Sequence, residues 1–223
     1  MNNIAGILLS FVFILGVLGI AQLLLRRTGL SASLTRKIVH ISVAHWWFIA
    51  MVFFDSLLAA LVGPVVFTIV NYLSYRFGIF KAMEHEDRRK NLGTIYFPVS
   101  LIVLVTMSFT GWMPVYVAGI GVLIMGYGDG FASIIGERYG SHTAWMRATG
   151  KSVAGTATMF IASFVAVAVF LLAIGTEQSV FHLLIASAST AALAAAVELV
   201  TPFGLDNLSV PISSALFYFG LFA

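Results

Sequence analysis

The chain has 223 residues, of which 60% are hydrophobic and only 9% charged, and its mean hydropathy is +1.01. A soluble domain carries about 25% charged residues, so this chain could not cover a water-facing surface with polar groups, and an ordinary soluble globule is excluded. The absence of cysteine excludes disulfides, thiolate metal sites and cysteine nucleophiles together. The net charge of +3 and the pI near 9.3 report membrane topology before they report an anionic partner, and no nucleic-acid partner is expected.

Lipid is therefore the expected solvent, and the expected fold is an all-α, polytopic membrane protein. Continuous apolar runs argue for helices over a barrel, whose strands alternate over about 10 residues. The first span is Ile4 to Leu25; its basic flank, Arg26 and Arg27, follows the apolar run, the reverse of a cleaved signal peptide. Further spans are expected over Ile38 to Phe54, Ser56 to Leu73, Ile95 to Thr110, Pro114 to Ile135, Val153 to Gly175 and Val180 to Val200. The tail from Leu208 to Ala223 reads as a tilted span or a half-inserted hairpin, so at about 20 residues each the spans number roughly seven or eight. Residues 1–223 then form a single membrane-embedded domain with short loops.

The basic residues sort sharply on this map. Arg26, Arg27, Arg36 and Lys37 fall in one loop, Arg76, Lys81, Arg88, Arg89 and Lys90 in a second, and Arg138, Arg147 and Lys151 in a third. Counting through the spans places all three loops on one side, which the positive-inside rule makes cytoplasmic and which puts the N-terminus outside. The opposite loops carry only Asp55 and Glu177. Trp46, Trp47, Trp112 and Trp145 are expected as interface anchors.

Within this apolar background Asp129 stands out, in the run Gly126-Tyr-Gly128-Asp129-Gly-Phe-Ala-Ser133-Ile-Ile-Gly136. A carboxylate in a membrane helix is costly and marks a functional site by default. The four-residue glycine spacing is also that of helix packing, which accounts for the glycines and leaves Asp129 unexplained. Downstream, Gly150-Lys151-Ser152-Val-Ala-Gly155-Thr156 opens a span at its cytoplasmic end. Free N–H groups, a hydroxyl and a lysine at a helix start suit a phosphate. This is not a Walker A loop, because Trp145 occupies the position of its first glycine, and Phe131 replaces the third glycine of a dinucleotide fingerprint. Glu198, Asp206 and Asn207 bring further oxygen ligands to the same level. Carboxylates beside a phosphate-binding cation are what Mg²⁺-dependent phosphate chemistry uses. Read blandly, Pro202 and Gly204 stop one helix while Asp206, Asn207 or Ser209 cap the next. A metal role for the histidines is discounted, since His40 and His45 lack the i, i+4 spacing of paired helical ligands.

These segments resemble the CTP-dependent lipid-alcohol kinases, a family that includes dolichol, phytol and farnesol kinases and the yeast-type diacylglycerol kinase. The resemblance rests on Arg36-Lys37-Ile-Val-His40, the stretch Glu84 to Tyr96, Gly128 to Gly136, Lys151 to Thr156 and Asp206-Asn207-Leu-Ser-Val-Pro211. It implies transfer of the CTP γ-phosphate to a membrane lipid alcohol, with Mg²⁺ or another divalent ion as cofactor. It also implies Asp129 and Asp206 at the metal, and Gly128, Ser133, Lys151, Ser152, Gly155, Thr156 and Asn207 at the nucleotide. Arg36, Lys37 and Arg138 are implied as further phosphate contacts and His40 as a phosphate or catalytic contact. Asp129, with Glu198 second, is the expected acceptor of the hydroxyl proton, and the site is expected at the cytoplasmic face of a cell membrane or endomembrane. Two other readings stay open: a CDP-lipid synthase, whose Ser-Pro-Lys-Lys signature is missing here, and a small ion-coupled transporter using Asp129 and Glu198.

Overall fold

The computed structural model describes residues 1–78, 92–141, 150–175 and 179–223. Most of the stretch Glu84 to Tyr96, together with Lys81, His142, Trp145, Arg147 and Glu177, lies outside the described residues. Among those described, every regular element is helical: α1 Asn3–Arg27, α2 Ala32–Ala44, α3 Trp46–Phe53, α4 Leu57–Phe77 and α5 Gly93–Phe109 come first. They are followed by α6 Val115–Leu123, a π-helical turn Ile124–Asp129, α7 Gly130–Tyr139, α8 Val153–Ile174, α9 Val180–Val200 and α10 Asp206–Phe222.

Among the described residues, five helical rods are long and apolar enough to cross a membrane: α1, α4, the continuous rod Val115–Tyr139, α8 and α9. The remaining expected spans are shorter. The run expected over Ile38 to Phe54 is divided at His45, whose N–H donates to the carbonyls of Ser42 and Val43, separating α2 from α3. Helices α5 and α10 have 17 residues each. Local signals account for several ends. Ser31 and Ser152 accept N–H bonds from Leu34 and Gly155 as N-caps. Gly78 and Gly175 close α4 and α8 in the left-handed conformation.

The rod Val115–Tyr139 is the most buried of the five and forms the axis of the bundle. Its small residues let neighbours approach: a Cβ on Gly128 would strike Ser163 Oγ and Met159 Sδ of α8. Gly128 is thus part of the packing between the axis and α8. By contrast, α1 is largely peripheral. It is tied at one end, where Asn3 Nδ2 donates to Asp55 Oδ1 at 2.6 Å.

Two of the expected interface tryptophans are core residues. Trp46 is 1% exposed and Trp47 0%; their indole N–H groups donate to Ser10 Oγ at 2.8 Å and to the Val115 carbonyl at 3.0 Å. A buried indole needs an acceptor, and the break at His45 turns both rings inward to find one. Trp112, 53% exposed, keeps a surface position.

Candidate active site

A cavity of about 390 Å³ opens at the end of the bundle where α5, α8 and α10 begin and α9 stops. Helix α2 starts one turn away and contributes Arg36, Lys37 and His40, while α7 passes along the wall with Ala132, Ser133 and Gly136. Several helix N-termini thus bring the positive ends of their dipoles to one space, an arrangement that favours anions, and the first N–H groups of α8 and α10 are bonded within the chain.

Asp129, the last residue of the π-helical turn, supplies the deepest carboxylate. π turns widen a helix and are common at functional sites. Its Oδ2 accepts from Lys37 Nζ at 3.2 Å and lies 3.7 Å from His40 Nε2, which also bonds the Met125 carbonyl at 3.1 Å. Opposite, Lys151 Nζ donates to Asp206 Oδ2 at 2.6 Å and pairs with Glu198 Oε1. Burial disfavours the Lys151 charge, but Asp206, Glu198 and Asp129 together outweigh it and hold the ammonium above its ordinary pKa. The turn between α9 and α10 brings Glu198 and Asp206 side by side. Phe203 and Gly204 both take positive φ there, 58° and 79°, and a left-handed phenylalanine is local strain at the cavity rim.

Asp129, Glu198 and Asp206 are all buried, and each offers an oxygen within 4.8 Å of the others. Glu198 Oε2 is buried without a hydrogen-bond partner among the described residues. An oxygen-only cluster with an orphaned carboxylate atom fits a hard divalent cation.

The same chain is 35% identical over 208 residues to a phytol kinase of Synechocystis, covering 91% of this chain and 85% of that protein. It is 28% identical over 220 residues to a probable chloroplastic phytol kinase of Triticum aestivum, covering 89% of this chain and 71% of the relative. It is also 29% identical over 208 residues to a probable chloroplastic phytol kinase 2 of Glycine max, covering 90% and 69%. The chain belongs to the phytol kinase family. It is a kinase, a phosphotransferase acting on a lipid alcohol. No family model matches the sequence, and no solved structure matches the chain.

For a kinase of this family the cavity gathers most of the residues singled out in the sequence. Arg36, Lys37, His40, Asp129, Ser133, Lys151, Ser152, Gly155, Thr156, Glu198, Asp206 and Asn207 all line it. Thr156 Oγ1 is buried there with no partner among the described residues, a polar atom facing a polar space. Asn207 Nδ2 donates to the Gly204 carbonyl and to Asp206 Oδ1, at 3.1 and 3.0 Å, so the pair is held as a unit. Two expected residues lie elsewhere. Gly128 faces α8 because a close helix crossing needs its missing side chain. Arg138 is one turn too far along α7, and its guanidinium stacks on Tyr139, 5.4 Å from the ring centroid. His45, excluded as a metal ligand, turns away to Tyr127 Oη at 2.7 Å.

The cavity also holds residues that spacing alone did not single out: Gly93, Thr94, Glu137, Thr201 and Phe203. Glu137 accepts from Ser33 Oγ at 2.8 and 2.9 Å and ties α7 to α2. Thr94 sits inside the matched stretch Glu84 to Tyr96, which was the available signal. Phe203 carried none, since its left-handed backbone is set by the turn.

Proposed function

We propose that the protein transfers the γ-phosphate of CTP to phytol or a closely similar prenyl alcohol, giving the lipid phosphate and CDP, with Mg²⁺ as cofactor. The observation that carries this reading is one cavity combining three buried carboxylates with Lys37, Lys151 and Arg36 at the end of an apolar bundle. The likeness to proteins named phytol kinase supports the acceptor class, and the sequence motifs support CTP.

In this reading the alcohol oxygen forms a bond to the γ-phosphorus while the bond from that phosphorus to the β,γ-bridging oxygen breaks. CDP departs with the electron pair, and Asp129 accepts the hydroxyl proton. The protein's part is positioning and neutralisation of charge on the transferring group. Lys37 and Arg36 face the phosphate oxygens from α2; Ser152, Thr156 and the positive end of the α8 dipole face them from the other wall. Lys151 neutralises the leaving group from its place beside Asp206 and Glu198. Asp129, Glu198 and Asp206 would hold the divalent ion, which would supply charge neutralisation to the phosphate groups. The sorting of the basic residues into loops on one side in the sequence supports a site on the cytoplasmic side of a multi-pass protein.

The test is a parallel assay of γ-labelled CTP and ATP against phytol, farnesol, a long polyprenol and diacylglycerol, scoring labelled lipid and nucleoside diphosphate. Transfer from CTP to phytol is expected. Pyrophosphate release from CTP and phosphatidate, with no alcohol labelled, would replace this reading with that of a CDP-lipid synthase.

A further inference from the structure

Helical spacing places three pairs of residues on facing surfaces of three helices: Val39 and Val43 on α2, Phe67 and Asn71 on α4, Thr94 and Phe97 on α5. Together with Arg36 and His40 they enclose a second cavity of about 40 Å³. It shares Arg36, His40 and Thr94 with the large cavity, so the two spaces adjoin across the His40 ring. That ring packs on Phe97 with centroids 4.7 Å apart. Where the large cavity is charged, the small one is walled by buried Val39, Val43, Phe67 and Phe97. Helices α4 and α5 pack along their lengths, whereas α2 makes at most marginal backbone contact with either. The space is thus a slot between α2 and a tight α4–α5 pair.

Asn71 is the anomaly in this slot. It is 2% exposed in the middle of an apolar helix, a costly place for an amide. Its Nδ2 donates to the Thr94 carbonyl at 2.6 Å, which fixes the amide orientation, because the flipped form would set oxygen against oxygen. Its Oδ1 is therefore the acceptor side of the amide; it is buried in a residue that walls the slot and has no partner among the described residues. An acceptor of this kind calls for a hydroxyl or N–H donor.

We infer that this slot is the acceptor subsite: the lipid alcohol docks with its hydroxyl donating to Asn71 Oδ1, a ground-state contact that it exchanges for Asp129 when the proton is transferred, and lays its first branched carbons against Val39, Val43, Phe67 and Phe97. The inference rests on the kinase reading above and deepens it. Size agrees. A space of about 40 Å³, at roughly 10–15 Å³ per water-sized group, takes about three such groups, which suits the head of an alcohol and no part of a nucleotide. Adjacency agrees as well. A hydroxyl beside His40 is on the border of the cavity holding Asp129 and the cationic groups, so the reacting oxygen meets the phosphate without either substrate crossing the other's site. An apolar wall on one side and charges on the other orient an amphipathic alcohol in one sense only.

The experiment uses the full chain in detergent micelles with two variants, Asn71→Leu and Val43→Phe. The first keeps the volume and removes the acceptor; the second fills the slot from α2. Two quantities are measured: CTP affinity by equilibrium binding without alcohol, and KM and kcat for phytol and for an unbranched long-chain alcohol. Asn71→Leu is expected to raise KM for both alcohols about five- to tenfold, the loss of one hydrogen bond. Val43→Phe is expected to depress phytol more than the unbranched alcohol, and CTP binding stays at the wild-type value in both. Unchanged KM in both variants would mean that water alone fills the slot and would overturn the inference. So would an equal fall in CTP binding and alcohol use, which would show a general disturbance of the site. If the wild type phosphorylates no alcohol, the kinase reading itself fails, an outcome visible before either variant is made.

Discussion

Lys151→Met keeps the length of the side chain and deletes its charge, leaving Asp129, Glu198 and Asp206 to repel one another. With ligand oxygens within 4.8 Å, and an effective dielectric constant of about 20, each carboxylate pair repels by about 3.5 kcal/mol or more. Part of this is relieved when one carboxylate takes a proton, and removal of one member of a buried ion cluster costs about 3–5 kcal/mol. For a chain of this length that corresponds to a fall in Tm of about 6–20 °C. The assay is thermal unfolding in detergent, followed by tryptophan fluorescence, first in EDTA and then with Mg²⁺ added. Mg²⁺ is expected to restore the variant more than it stabilises the wild type, because it meets Glu198 and Asp206 without the Lys151 ammonium between them; saturation at 100 times Kd adds about 2.7 kcal/mol. The pH dependence has a definite sign. Lys151 is held above its ordinary value of 10.5, so its contribution is fully present below that value and is lost as pH rises through the higher folded one. The gap between wild type and variant is therefore flat from neutrality to about pH 10. A variant as stable as wild type in EDTA, or equal Mg²⁺ stabilisation of the two proteins, would refute the reasoning.

Asp129→Asn is expected to lower kcat by about 10²–10⁴-fold while the protein still binds CTP; full turnover would remove Asp129 as the proton acceptor. Arg138→Ala is expected to leave kcat/KM for CTP within about twofold, because its guanidinium stacks on Tyr139 outside the cavity, and a larger loss measured by steady-state kinetics would put Arg138 back at the phosphates. Trp46→Phe removes the donor to Ser10 Oγ and is expected to cost about 1–3 kcal/mol, read as a lower Tm. CTP affinity measured on the same sample should not change, since the indole lies in the core between α1 and α3.

The parts of this molecule that were legible in the sequence are those where a residue contradicts its surroundings. Asp129 in an apolar run, Lys151 before one and Glu198 near the end of another are anomalies that need no coordinates, and all three line one cavity. The helical class was legible for the same reason, since hydropathy averages over about 20 residues at a time. What that averaging hides is direction and local breaks. Trp46 and Trp47 are of a residue type that favours a membrane interface, yet next to the interruption at His45 they lie in the core. Gly128 and Gly155 carry the same small-residue signal, but only Gly155 reaches the cavity. A Cβ on it would meet the Ala132 carbonyl at 3.1 Å, so even there the glycine also serves the α7–α8 crossing.

Lys151 shows what local spacing leaves out. A lysine at a helix start reads as a phosphate contact, but the carboxylates that claim it, Glu198 and Asp206, lie 47 and 55 residues away in sequence, and no local spacing reports them. The same limit applies more strongly to Asn71. Asparagine in a membrane helix is polar but neutral, and its meaning depends on Thr94 taking one side of the amide and leaving the other buried without a partner among the described residues. Phosphate handling is written in charges, which stand out in an apolar chain. In the proposed subsite the alcohol meets neutral side chains, which acquire a role only when three helices meet, so that signal lies in the packing of α2, α4 and α5 and in no local spacing.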